Sequence, residues 1–315
     1  MEIFTNPAIL FFIFGIFAGL MKSNLYVPEQ ITKFLSLYLL MSIGLKGGVA
    51  LATSGFSSSV LIVIGIGIFM SVLVPLIAYK IMTRYLDGYN AAAVAATYGS
   101  ISAVTFVTAT QFLSSASILF GDYMSAVMAL MESPAIILAV LFANKLRNKK
   151  DVGLLHIAKD SFIEGANLLL LASLFIGLVI GTNGYALIQP FTGTLFTGLL
   201  SFFLLDMGIQ VAKNIPELKG KNPILIAYAI FAPIVHACIA LALCWLFAVP
   251  LGNTVLMMVL SASASYIAVP AALKQSMPEA SPSIYLGLSL GVTFPFNVIF
   301  GIPLYYYLAT LLIGV

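Results

Sequence analysis

Two stretches decide how this chain reads: Leu39-Leu-Met-Ser-Ile-Gly-Leu-Lys46 and Phe203-Leu-Leu-Asp-Met-Gly-Ile-Gln210. Laid over one another, they align a glycine, with polar residues two positions before it and two after. Each lies inside a long apolar run. A second overlay follows from the same shift: Tyr98-Gly-Ser-Ile-Ser102 falls on Ala262-Ser-Ala-Ser265 with one residue of slack. The chain therefore reads as two copies of one unit.

Working outward, apolar runs between polar punctuation give spans near 7–21, 31–53, 58–80, 91–113 and 121–144. A second set lies near 161–181, 190–212, 223–248, 252–274 and 283–313. Each is close to the roughly 20 residues a helix needs to cross a bilayer core of about 30 Å. Strand-type alternation is missing, so the spans read as helices and not as a barrel. Five helices per copy is an odd number, so the two copies must insert upside down relative to each other. The expected fold is an all-α membrane protein of ten transmembrane helices in two inverted five-helix repeats. Helices 4 and 9 are broken and cross. The repeats cover 1–144 and 161–315, joined by a basic linker at 145–160.

Composition agrees. Of the 315 residues, 61% are hydrophobic and 8% charged, against about 25% charged in a soluble domain, and the mean hydropathy is +1.10. A net charge of +3 with no basic patch gives no reason to expect a nucleic-acid partner. Position matters more than sum. With both termini facing outward, thirteen of the fourteen Lys and Arg residues fall in inward loops, as the positive-inside rule requires of a plasma-membrane protein. The fourteenth, Lys46, lies within the second span. Met1 to Leu20 contains Glu2 and no Lys or Arg, so it reads as a retained first span and not a secretory leader. Cys238 and Cys244 share one apolar segment and read as buried thiols.

Chemistry concentrates in spans 4 and 9. Thr97-Tyr-Gly-Ser-Ile-Ser-Ala-Val-Thr105 and Ser261-Ala-Ser-Ala-Ser-Tyr-Ile-Ala-Val-Pro270 place hydroxyls, a glycine and a proline at mid-membrane depth. Backbone breaks survive there only beside protein or a water-filled cavity. A broken helix offers free N–H groups to an anion at one end and carbonyls to Na+ at the other. The bland alternative is close packing through small residues. Gly99, Ser100, Ser102, Thr105, Ser263, Ser265 and Tyr266 are the candidate substrate-binding residues.

Glu132, in Met131-Glu-Ser-Pro134, is a carboxylate near the centre of span 5, where charge is expensive and functional by default. Cation coordination is its first reading, with proton relay and a hydrogen bond to the Pro134 kink as alternatives. Asn297, in Phe294-Pro-Phe-Asn297, is its counterpart in the second half. Ser102, Ser263, Glu132 and Asn297 form the candidate Na+ set, with no other metal and no cofactor expected. Lys46 and Asp206 lie in mirror-related spans and are expected to form a buried ion pair if those spans pack at Gly44 and Gly208. His236 reads as a core hydrogen-bonding residue rather than a proton relay. No Ser/His/Asp set, HExxH motif or phosphate-binding loop appears, so an enzyme is not expected.

At these residues the chain resembles the sodium-dependent bicarbonate transporter family first described in cyanobacteria. The segments are Ile43-Gly-Leu-Lys-Gly-Gly48, Gly99 to Thr105, Met131 to Ala135, Ala232 to His236, and Ser263 to Pro270 with Pro278 to Tyr285. The resemblance implies a ten-helix inverted-repeat fold and homotrimers. It also implies Na+-coupled uptake of bicarbonate, held between two broken helices. Ser102, Thr105, Ser263 and Ser265 match hydroxyl positions of the family site, and Glu132 stands at a family aspartate. Cyanobacterial members bind a small nucleotide-sensing regulator of the PII type, which adds such a regulator to the expected partners beside lipid, Na+ and the anion.

The chain also departs from the family pattern. Tyr266 stands where the family has an aspartate, and Ala103-Val104 where it has Gly-Ser; both bear on Na+ stoichiometry and on which anion is carried. Lys46 and Asp206 are each displaced by one turn from the family's lysine and glutamate, a joint shift that keeps them level. The same fold serving another small carboxylate or oxyanion is the neighbouring reading. A non-transporting membrane receptor is the reading from a different class.

Overall fold

In a computed structural model, residues 7–55, 57–147, 165–214 and 222–314 are described, and their regular structure is all helical, with no strand among them. The first half contributes α1 Pro7–Leu20, α2 Glu29–Ser54, α3 Ser58–Met82, α4 Gly88–Gly99, α5 Ala103–Ser115 and α6 Met124–Leu146. The second contributes α7 Gly165–Gln189, α8 Phe196–Asn214, α9 Pro223–Leu246, α10 Leu251–Ala262, α11 Ala268–Ser276 and the long α12 Pro282–Ile313. The linker expected at 145–160 lies outside the described residues beyond 147.

Among the described residues, seven helical runs are long and apolar enough to cross a membrane, and α1 and α10 are shorter apolar helices. Polar caps define several starts. Ser57 accepts from the Val60 N–H at the head of α3, and Asn222 from the Ile224 N–H at the head of α9. Asp87 accepts from the N–H groups of Tyr89 and Asn90 at the head of α4. Burial alone would raise the Asp87 carboxyl, but these bonds and one from the Asn90 side chain outweigh it and hold it below its ordinary value.

The helices pair by close backbone approach. A Cβ on Gly15 or Gly208 would run into the backbone of the other's helix, and one on Gly48 or Gly177 likewise. Small residues of this kind let helices approach where lipid supplies no hydrophobic drive. So α1 packs on α8 and α2 on α7. This corrects the packing expected at Gly44 and Gly208: Gly44 faces Leu170 and Ser173 on α7, while Gly208 faces Phe12, Gly15 and Ile16 on α1. A polar residue two positions from each glycine therefore meets a different neighbour.

Burial separates two kinds of region. The run 88–115, which holds α4 and α5, is 94% buried over its most apolar window, whereas the 168–213 run is 17% buried. α4 and α10 lie in the interior, with α3 and α6 against α4 and with α9 and α12 against α10.

Candidate functional site

Both interior helices unwind at corresponding points. α4 ends at Gly99, and Ser100 turns extended at φ −89° and ψ 166°. α10 ends at Ala262, and Ser263 does the same at φ −79° and ψ 164°. The helical path resumes at Ala103 and at Ala268.

The two breaks are hydrogen-bonded to each other. The Ser265 N–H donates to the Thr97 carbonyl at 2.8 Å, and the Ser102 N–H to Ser263 Oγ at 2.9 Å. The Ser263 hydroxyl in turn donates to the Leu260 carbonyl at 2.9 Å. Each resumed helix is capped by a serine of its break. Ser102 Oγ accepts from the Thr105 N–H at 3.2 Å and from the Thr105 hydroxyl at 2.9 Å. Ser265 Oγ accepts from the Val269 N–H at 3.3 Å. First-turn N–H groups have no intrahelical acceptor; those of Ala103, Val104 and Ala268 belong to residues lining a cavity between the breaks.

That cavity has a volume of about 30 Å³, room for about two water-sized groups. Ser102, Ser265, Tyr266 and Glu132 reach it, and its apolar wall includes Val104 and Phe203. Glu132 is only 4% exposed. The Tyr266 hydroxyl is buried and, beyond an electrostatic contact with Ser102, closes no hydrogen bond. Unpaired buried hydroxyls are costly, and one on a residue that lines a cavity is a candidate to bind a ligand there. Two positive helix ends, two serines and a tyrosine suit a small anion, while the carboxylate suits a cation.

The pattern of the Na+-dependent bicarbonate transporter superfamily matches this sequence over residues 7–310. The chain belongs to that superfamily. It is accordingly a membrane protein of a transporter family. A search of curated proteins finds no match.

Within this superfamily member, the expected site residues divide into groups. Ser102, Ser265, Tyr266 and Glu132 come together at the cavity. Thr105 and Ser263 stand one hydrogen bond behind it. Gly99 packs against the ring of Pro75, where a Cβ would meet Cδ at 2.6 Å. Ser100 is buried with its hydroxyl unpartnered. Asn297 is also buried; its Nδ2 donates to the Ala262 carbonyl at 2.9 Å, and its Oδ1 accepts from the Tyr305 hydroxyl at 2.8 Å. Asn297 thus satisfies the carbonyl end of α10.

The ion pair expected between Lys46 and Asp206 does not form. Asp206 accepts from the Thr32 hydroxyl at 2.6 Å and from Gln210 Nε2 at 2.8 Å. Lys46 Nζ lies 4.7 Å from the centroid of the Phe196 ring. The glycines beside these two residues pack on different helices, so levelness along the membrane does not bring the charges together. His236 is buried with Nδ1 unpartnered, so no core hydrogen bond forms at that nitrogen.

Ser36 was missed from the site. It lies with Leu39 and Leu40 on one face of α2, at i, i+3 and i+4, along the cavity. A serine in register with an apolar face of span 2 is the signal that could have found it.

Proposed function

We propose that this protein is a secondary transporter that carries bicarbonate or a similar small anion inward with Na+, by alternating access around the meeting of the two breaks. The observation that carries the reading is the cavity where Ser102 and Ser265 cap the resumed helices beside Glu132. The anion is held by the capped helix ends and Tyr266, with Glu132 drawing the cation close enough to offset its charge. Ser263 and Asn297 stand behind the cavity with their polar atoms engaged by Ser102, Leu260, Ala262 and Tyr305, and they support the site without touching the cation.

The architecture proposed is ten crossings in two inverted repeats. Its support is threefold. The 46-residue run Leu168–Lys213 is about 69 Å long at 1.5 Å per residue, more than twice a bilayer core. It is interrupted at Gly181, whose φ of 56° lies outside the helical region. Reading it as two spans, and counting α1 and the α10–α11 pair, gives ten. The pairings α1 with α8 and α2 with α7 are also those a twofold relation between halves would exchange. The charge bias of the sequence supports both ends facing outward, in a plasma membrane.

The apolar wall at Ala103, Val104 and Val107 favours a second substrate, a small carboxylate whose apolar end would rest there. Uptake of labelled bicarbonate into proteoliposomes tests both. A Na+ gradient is expected to accelerate uptake several-fold. Uptake indifferent to Na+ would remove the coupling, and bicarbonate uptake at background with acetate or formate carried would select the second substrate.

A further inference from the structure

Two further cavities lie on the side of the break site where α2 ends and α6 begins. The wider, about 540 Å³, is bordered by Thr53, Tyr123, Thr182 and Tyr185. The narrower, about 150 Å³, is bordered by Thr110, Gln111, Ser114 and Ser125. Lys46 and Asp122 line both. Val107 lines both the narrower cavity and the cavity at the breaks. Mouth, throat and site therefore share walls in series, and Lys46 stands at the first junction.

Lys46 is free to act on a ligand. Among the described residues it closes no ion pair; the pair that forms is Arg147 with Glu279. Its contact with the Phe196 ring holds the ammonium in place without neutralising it, because a ring face carries no net charge. Asp122 supplies opposing charge across the same space. A transit site needs attraction strong enough to draw an ion in and weak enough to release it. A cation tempered by a nearby carboxylate meets that requirement.

We propose that Lys46 forms a second, shallower anion subsite, which receives a small monovalent oxyanion or carboxylate at the mouth and passes it along the Thr110–Ser114 face of α5 to the breaks. The anion class rests on the function proposed above, but occupancy of the subsite does not depend on transport.

The test separates the two. In a Ser102→Ala, Ser265→Ala background, purified full-length protein is titrated with 13C-labelled bicarbonate and the line width of the free anion is followed. Broadening that remains is expected to vanish with Lys46→Gln, to persist with Lys46→Arg and to grow with Asp122→Asn. In proteoliposomes of the otherwise unaltered protein, Lys46→Gln should raise KM about tenfold with little change in maximal rate, and Asp122→Asn should lower KM. Absence of residual broadening, or broadening insensitive to Lys46→Gln, overturns the subsite. So does a leak raised equally by Lys46→Gln and Asp122→Asn, which would make the two residues a gate. Lys46-dependent broadening in a protein that shows no bicarbonate uptake would retain the subsite and refute the transport reading.

Discussion

The two breaks are built alike and bonded differently. Each begins with a serine in nearly the same extended conformation, and each has a serine capping the helix that follows. Yet the last turn of α4, before the first break, lends the second break a backbone carbonyl, that of Thr97, while the second break lends the first a side chain, that of Ser263. The first interruption is three residues long and the second five, and the extra length holds Tyr266. The likeness of the two breaks supplies the scaffold, and the difference between them supplies the site: an aromatic hydroxyl on one side, the apolar Ala103 and Val104 on the other.

Removing what the breaks share should have the largest effect. Ser102→Ala with Ser265→Ala is expected to reduce uptake to background. Each lost cap costs only about 1 kcal/mol, so the double variant should elute from size-exclusion chromatography as wild type does. Wild-type uptake in that variant would mean that the breaks are packing devices.

Next come changes that strike one break alone. Asn297→Ala leaves the Ala262 carbonyl and the Tyr305 hydroxyl without partners. With about 1–3 kcal/mol per buried orphan, a loss near the upper end of that range is expected in thermal unfolding in detergent. Gly99→Ala presses a methyl group into the Pro75 ring and should cost about 1–3 kcal/mol. The corresponding helix end, Ala262, already carries a Cβ, so Ala262→Gly should cost about 1 kcal/mol or less. Equal losses at the two positions would show that the break ends are interchangeable.

The smallest effect on stability belongs to Tyr266→Phe. Because the hydroxyl closes no hydrogen bond beyond an electrostatic contact with Ser102, its removal should leave the unfolding temperature nearly unchanged. The same variant should raise KM for the anion about tenfold, the worth of one buried hydrogen bond. A lowered unfolding temperature with unchanged KM would place Tyr266 in the scaffold instead.

The breaks were legible in the sequence because small and hydroxyl residues interrupt apolar runs at mid-membrane depth, and because they do so at corresponding places. Helix positions followed from hydropathy for the same reason. The partners of Lys46 and Asp206 were not legible. Depth in the membrane can be read from position in a run, but the direction a side chain faces depends on which neighbour each glycine admits. Gly44 admits α7 and Gly208 admits α1, and no local pattern announces that choice. The apolar wall was only half legible, since Ala103 and Val104 stand in the quoted motif while Phe203 comes from the facing half of the chain.

The claim that the two breaks together hold the anion is tested most directly by an experimental structure determined with bicarbonate and Na+ present. Density for a small planar anion is expected between Ser102 and Ser265, within hydrogen-bonding distance of the Tyr266 hydroxyl, with Glu132 on its cation side. An anion bound elsewhere, with the cavity between the breaks filled by water alone, would contradict the account.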